Sequence, residues 1–289
     1  MSSPSARIGV IGGSGLYQME GLEDVHEVEM TTPFGKPSDA IAIGRLAGVP
    51  VAFLPRHGRG HRIMPTDIPV KANIYALKRL GVERVISISA VGSLREELRP
   101  LDLVIPDQLI DRTRLRDNTF FGDGVVAHIA FADPFCPHLS GLLADAAQEA
   151  GGAVHQGGAC VVMEGPAFST KAESNMYRSW SASIIGMTAL PEAKLAREAE
   201  LCYAMLACVT DYDVWHESEE QVSVELIVSN LQKNAAASQQ VLRALVPRLD
   251  DERECGCPSA LENGIITARE HITQETRQRL EVIIGKYLS

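Results

Sequence analysis

Short apolar, β-branched runs alternate along the chain with segments whose apolar residues recur every three or four positions. That alternation is the signature of an α/β fold. The runs predict strands over Arg7–Ile11, Val49–Pro55, Arg84–Ser89, Leu101–Ile105, Ala159–Glu164, Ser183–Met187 and Tyr203–Thr210. Between Ile68 and Leu80, the residues Val70, Ile74 and Leu77 share one face and Gly81 suits a C-terminal cap, which predicts a helix. Leu139–Ala150 ends at Gly151-Gly152 in the same way. Pro191 can open a helix over Glu192–Ala199, and Ser223–Leu249 reads as a long amphipathic one. No repeat, low-complexity tract or linker divides the sequence, so one domain over residues 1–289 is expected. Arg112–Pro137 and Asp250–Asn263 are its least regular parts.

Composition narrows the partners. Lys and Arg number 27 against 37 Asp and Glu, a net charge of −10. An acidic surface draws neither nucleic acid nor an anionic membrane. The segment Met1–Arg7 is small and polar, and no run approaches the ~18 apolar residues of a membrane helix. A cytoplasmic protein is expected. Of the six cysteines, Cys160, Cys202 and Cys208 lie in apolar segments and read as buried small hydrophobes. Cys255-Gly256-Cys257 reads as a redox pair, as bridges to other cysteines, or as an incidental pair in a polar loop, the last favoured because cytosolic chains seldom keep disulfides.

The candidate chemistry follows the strands. Ile8–Ile11 runs into Gly12-Gly13-Ser14-Gly15, Val51–Pro55 into Arg56-His57-Gly58-Arg59-Gly60-His61, and Val85–Ser89 into Ala90-Val91-Gly92-Ser93. Ile184–Met187 runs into Thr188, just before the Pro191 helix. Open α/β sheets place ligands at the C-terminal ends of their strands. A guanidinium, hydroxyls and unobstructed backbone N–H groups collected there could cradle a tetrahedral dianion. The first glycine loop fails the dinucleotide fingerprint, and no nucleoside-triphosphate P-loop is present. His57 and His61 are four apart, but the glycines between them argue against a helix presenting both to a metal, and His61 reads as a surface loop residue. In Thr210-Asp211-Tyr212-Asp213-Val214-Trp215, Asp211 and Asp213 alternate onto the same side and could converge on one ligand. The competing reading of that segment is a solvated turn.

Taken together, GVIGGSGLY (9–17), TPFGKPSD (32–39), RHGRGH (56–61), MEGPAFST (163–170), MTALPEAKLAREA (187–199) and TDYDVW (210–215) resemble the methylthioadenosine branch of the trimeric purine nucleoside phosphorylase family. The resemblance runs from about Arg7 to about Leu249; the tail from Asp250 is less typical and carries a CGC that many members lack. It implies an α/β fold, a single domain with a twisted mixed sheet and barrel flanked by helices, assembled as trimers or paired trimers. It also implies no metal or organic cofactor, with inorganic phosphate as co-substrate. Phosphate would be held by Ser14, Arg56, His57, Ser89, the backbone of Ala90, and Thr188. Met187 would lie against the ribose, Asp211 and Asp213 would bind the purine, and Phe168 and Tyr212 would line the substrate. His128 matches a residue that reaches into a neighbouring subunit's site. Ser169 and Val224 stand at positions that set specificity: 6-oxopurine enzymes carry glutamate in place of Ser169, asparagine in place of Asp211, and a histidine near Val224 for the 5′-hydroxyl.

The implied reaction is phosphorolysis of 5′-methylthioadenosine. Cleaving an N-glycosidic bond passes through an oxocarbenium-like state, which a phosphate beneath the anomeric carbon stabilises and then captures. The departing purine needs a proton donor at ring nitrogen 7, which Asp211 can supply only if its pKa is raised. Rival expectations are phosphorolysis of a 6-oxopurine nucleoside, hydrolysis by a nucleosidase of the same fold, and a non-catalytic nucleoside-binding protein.

Overall fold

The computed structural model describes residues 6–13, 16, 19, 21–216, 224–249 and 252–288, with the backbone alone for 224–228. Its framework is an 11-stranded mixed sheet. In chain order the strands are β1 (Ile8–Gly12), β2 (Leu22–Val28), β3 (Ile41–Leu46), β4 (Val49–Pro55), β5 (Arg84–Ser93), β6 (Leu103–Ile105), β7 (Gln108–Arg112), β8 (Val154–Gln156), β9 (Ala159–Met163), β10 (Ile184–Gly186) and β11 (Cys202–Asp211). The helices are α1 (Val70–Arg79), α2 (Pro137–Glu149), α3 (Lys171–Ser179), α4 (Ala189–Glu198), α5 (Val224–Leu245), α6 (Gln274–Arg279) and α7 (Glu281–Leu288).

One part of the sheet is an open wing, β2-β3-β4-β1-β5, in which β4, β1 and β5 run parallel. The other part closes on itself. β5 pairs with β11, β11 with β6, and β6 with β8; β8 continues into β9, which pairs with β10, and β10 returns to β5. The corner between β8 and β9 is Gly157-Gly158, both at positive φ. Gly158 is required there twice over: its φ is +96°, and a Cβ would lie 2.3 Å from Ser183 Oγ.

Strand β5 is where the two parts join. On one edge its ladder with β1 ends at Ser87, and its ladder with β10 begins only at Gly92. Ile88–Val91 therefore carry no strand partner on that edge, while β11 pairs along the other. Such a split is the topological switch point at which a ligand can reach strand backbone.

Alternate residues of the central strands bury into two separate apolar layers. Ile11, Val85, Tyr203, Met205 and Val209 pack with α1, α4 and α7 through Ile74, Leu77, Leu195 and Ile284. Ile8, Val10, Ile86, Ala204 and Leu206 pack with α2 and α5 through Leu139, Leu143, Val241 and Leu245. Burial on both faces explains why these strands read as continuous apolar runs.

Every expected strand and helix is present. Strand β5 runs four residues past the expected Ser89, into the loop region expected to hold the ligand. Four strands lacked a recognisable pattern: β2 is an exposed edge, β3 carries Gly44 and Arg45, and β7 and β8 are short and half-exposed. Helix α3 is polar, although its capping box, Thr170 with Glu173, is legible as T-x-x-E. The tail is integral to the body: Leu261, Leu280 and Ile284 are fully buried, and Lys286 and Tyr287 both reach the buried carboxylate of Glu200 at 2.5 Å. Among the described residues no helix is long and apolar enough to cross a membrane.

Candidate active site

The parallel strands β4, β1 and β5 deliver their C-terminal ends to one side of the sheet. Gly12 is the register partner of Pro55, and Gly12 O accepts from Arg56 N at 2.9 Å, so Arg56 follows β4 directly beside the glycine loop. Ser14 itself lies outside the described residues. Ser89 and Ala90 lie in the unpaired stretch of β5, Ser89 buried and Ala90 exposed. Thr188 caps α4 without using its hydroxyl on its own helix, and that hydroxyl meets Ser89 Oγ at 2.9 Å. Two expected phosphate-site hydroxyls from residues 99 apart in sequence are thus brought together.

The Arg56 guanidinium departs from the expectation of an open fork. Its Nε and Nη2 donate to Glu192 Oε1 and Oε2 at 2.7 and 3.2 Å, and Nη2 also donates to Ser87 Oγ at 2.7 Å. Nη1 donates to Ile88 O at 2.9 Å, on the open edge of β5. Glu192 and Tyr203 share this buried pocket, the tyrosine hydroxyl donating to Glu192 Oε2 at 3.3 Å. Burial lowers the guanidinium's affinity for its proton, but Glu192 outweighs that and raises its pKa. The permanent cation is therefore already paired, and Glu192 holds the fork's plane fixed.

His57 Nδ1 donates to Ile63 O at 2.9 Å, which leaves Nε2 as the outward nitrogen. Burial pushes its pKa down to about 4; the Ile63 carbonyl opposes the shift and the nearby charge of Arg56 adds to it. His57 is therefore neutral at neutral pH. His61 stacks on it with ring centroids 4.2 Å apart and is exposed, as a surface loop histidine should be.

The two aspartates stand at a bulge where β11 leaves its register with β5. Asp211 pairs with Gly92, and a Cβ at Gly92 would lie 3.2 Å from Asp211 Oδ1 and 3.3 Å from Asp213 Cβ. Gly92 thus leaves both carboxylates room on the same side. Asp211 Oδ1 accepts from Asp213 N at 2.8 Å, and Oδ2 lies 2.6 Å from Thr210 Oγ1. Burial raises the pKa of Asp211 despite these two bonds. Burial likewise raises Asp213, against the Ser174 hydroxyl and Val214 N–H and together with the Asp211 charge. Asp213 Oδ2 is buried and accepts no hydrogen bond among the described residues. Ser174 Oγ is likewise buried and unpaired by geometry, and its hydroxyl is the donor at hand for the Asp213 carboxylate.

A profile described as the phosphorylase superfamily matches residues 7–247. The chain belongs to this superfamily. Among its relatives, the S-methyl-5′-thioadenosine phosphorylase of Geobacter sulfurreducens is 60% identical over 282 residues, covering 97% of this chain and 99% of the relative. That of Gloeobacter violaceus is 59% identical, covering 99% and 98%. A crystal structure of a methylthioadenosine phosphorylase from an antarctic soil metagenomic library superposes with a TM-score of 0.94 at 50% identity, covering 97% of this chain and 99% of that one. An adenosine/methylthioadenosine phosphorylase mutant of Schistosoma mansoni, solved with adenine, gives a TM-score of 0.86 at 34% identity, covering 91% and 100%. The coverage of these relatives extends into the tail that the superfamily profile leaves out.

On this phosphorylase-superfamily scaffold the remaining expected residues separate. Met187 is half-buried against Gly165, and its carbonyl accepts from Arg116 Nη1 at 2.6 Å. Ser169 is buried with its hydroxyl 3.6 Å from Met163 Sδ, whereas Phe168 beside it is 64% exposed. Tyr212 is not brought to the aspartates: β11 ends at Asp211, Asp213 turns at a φ of +52°, and Tyr212 stacks on His216 at 4.4 Å with its hydroxyl on Glu96 O. His128 is exposed, and its backbone N–H donates to Gly264 O at 2.8 Å. Val224 opens α5, with its side chain outside the described residues.

Arg116 and Glu192 are the site-building residues that carry no signal of their own in the sequence. Arg116 donates to Glu164 Oε1 and to the carbonyls of Met163, Glu164, Met187 and Leu190. One guanidinium thereby fixes the ends of β9 and β10 and the start of α4 within this superfamily fold. It sits in the stretch Arg112–Pro137 that reads as irregular, where no periodicity draws attention to it.

Proposed function

We propose that this chain phosphorolyses 5′-methylthioadenosine to adenine and 5-methylthioribose 1-phosphate, in purine and methionine salvage. The observation that carries the reading is the pair of buried carboxylates, Asp211 and Asp213, brought together beside Gly92 at the bulge of β11. In this reading the 6-amino group of the purine donates to Asp213, and ring nitrogen 7 takes a proton from Asp211, whose pKa burial raises. The names of the close relatives support the same substrate.

In this reading phosphate rests on Ser14, Arg56, His57, Ser89, the Ala90 backbone and Thr188. It lies beneath the anomeric carbon. The glycosidic bond breaks with its electron pair leaving on the purine, Asp211 protonates nitrogen 7, and a phosphate oxygen closes on the oxocarbenium carbon. Met187 lies along the ribose, Phe168 covers the substrate, and Ser169 and Val224 tune the choice of base and 5′-group. Phosphate is a co-substrate, and the reaction is assigned no cofactor. Residues 1–289 are taken as one domain of a cytoplasmic homotrimer, able to pair into hexamers, with exposed His128 completing a neighbour's pocket.

The test is incubation with methylthioadenosine, with and without phosphate, followed by identification of both products. Adenine and a pentose 1-phosphate, formed only with phosphate, are expected. Release of free methylthioribose without phosphate, or turnover of methylthioinosine in preference, would overturn the reading.

A further inference from the structure

Four thiols from three distant parts of the chain meet at one point. Cys136 is the N-cap residue of α2, Cys202 opens β11, and Cys255 and Cys257 flank Gly256 in the tail. Their sulfur atoms all lie within 4.8 Å of one another, with Cys202 Sγ and Cys255 Sγ 3.4 Å apart. Cys136, Cys202 and Cys257 are at most 4% exposed, Cys255 is half-buried, and none is in a disulfide. The expected incidental pair in a polar loop is therefore not what the tail forms: the CGC turn inserts both thiols into the apolar layer beside Leu139, Leu143 and Val246.

A tetrahedral tetrathiolate with metal–sulfur bonds of ~2.3 Å holds its sulfurs roughly 3.8 Å apart, within the spread seen here. The donor set is all sulfur, which excludes the hard cations magnesium and calcium and suits zinc. Four protein ligands would close the coordination sphere, as in a structural rather than a catalytic site. The surroundings can carry the dianion that results. Cys136 stands at the N-terminal, positive end of α2. Arg84, the register partner of Cys202, is buried and donates to Glu252 O at 2.7 Å, three residues before Cys255.

We propose that Cys136, Cys202, Cys255 and Cys257 form a binding site for one zinc ion, which ties the C-terminal tail to the α/β body. Four zinc–sulfur bonds form as four thiol protons pass to solvent. The site lies at the start of β11, nine residues and about 30 Å along the strand from Asp211, so it stabilises the fold without touching the reaction. The cation closes loops spanning residues 136 to 257, which an unfolded chain would have to close at an entropic cost.

The experiment is elemental analysis of the full chain, purified under reducing conditions in zinc-free buffer after expression with zinc. About one zinc per chain is expected, falling at least ten-fold in the Cys255→Ser/Cys257→Ser double variant. The double variant should keep its turnover at moderate temperature and lose several degrees of Tm. If that variant does not fold, cobalt(II) exchanged into the wild type still decides, by the charge-transfer and visible bands of a tetrahedral cobalt thiolate. Less than about 0.1 zinc per chain after reconstitution, without a cobalt–thiolate spectrum, would overturn the proposal. So would a mass deficit, in a parallel sample purified without reductant, showing that the four thiols are paired as two disulfides.

Discussion

Glu192 receives Arg56 along both of its carboxylate oxygens, at 2.7 and 3.2 Å, with both side chains almost completely buried. The cation that the sequence offers to phosphate is thus also one half of a core ion pair. Removing one partner of such a pair leaves the other charge uncompensated, at a cost of about 3–5 kcal/mol. Arg56→Ala is therefore expected to lower Tm substantially as well as raise the phosphate KM. Glu192→Gln is expected to destabilise the fold while lowering the phosphate KM, because it frees the guanidinium's charge. Thermal melts and phosphate titrations of the two variants check this; a raised phosphate KM in Glu192→Gln would show that fixing the fork matters more than freeing its charge.

His57 gives a stability prediction with a definite sign. Its folded pKa of about 4 lies below the ordinary 6.5, so the folded state holds the ring neutral where the unfolded chain protonates it. Stability should fall as pH drops from 6.5 toward 4 and then level off. His57→Asn, which keeps a donor for Ile63 O, should show a shallower loss over that window. Equal slopes of Tm against pH for the two proteins would refute the assignment.

Asp211 has its pKa raised, so the proton it needs is lost as pH climbs through the folded value. The expected profile of kcat/KM for methylthioadenosine has a basic limb that Asp211→Asn flattens, since an amide donates at any pH. An unchanged limb in the variant would assign that proton elsewhere.

On the proposed reading, base choice rests on Asp213. Facing a 6-oxo group, this acceptor meets another acceptor, and a site built around a hydrogen bond can reject such an analogue by up to ~10⁴-fold. Asp211→Asn/Asp213→Asn should narrow the preference for methylthioadenosine over methylthioinosine by about two orders of magnitude. The ratio of kcat/KM for both nucleosides with both proteins is the measurement.

Gly92 tests the placement of the pair. A methyl group there meets Asp211 Oδ1 and Ile185 Cγ2 at 3.2 Å and Asp213 Cβ at 3.3 Å. Gly92→Ala should cost only about 1 kcal/mol of stability but at least ten-fold in kcat/KM, through displaced carboxylates. Melting and steady-state kinetics on one preparation separate the two effects.

The legibility of the chain follows burial. Strands β1, β4, β5 and β11 are buried on both faces and announce themselves as apolar runs, and alternation with helical segments placed the loops after β1, β4 and β5 on one side of the sheet. Edge strand β2 leaves five of its seven residues exposed, so no periodicity marks it. Alternation pairs Asp211 with Asp213 on paper, but the strand ends at Asp211 and it is a turn at Asp213, with φ of +52°, that sets the second carboxylate, which alternation does not foretell. The partnership of Arg56 with Glu192 spans 136 residues and that of Arg116 with Leu190 spans 74, and neither separation leaves a local pattern. The cysteines show the same limit, because spacing along the chain says nothing of three segments that meet only after folding.

The seam in β5 sets a length. Ser89, on the anion side, and Gly92, against the aspartates, are three positions apart on one extended strand, roughly 10 Å. That span is comparable to a phosphate and a purine laid end to end with a sugar between them. On the proposed reading, a single stretch of backbone acts as a ruler, setting how far the attacking group stands from the departing one. An inserted residue between Ser89 and Gly92 would break that measure, lengthening the span and turning the side chains beyond it to the other face of the sheet.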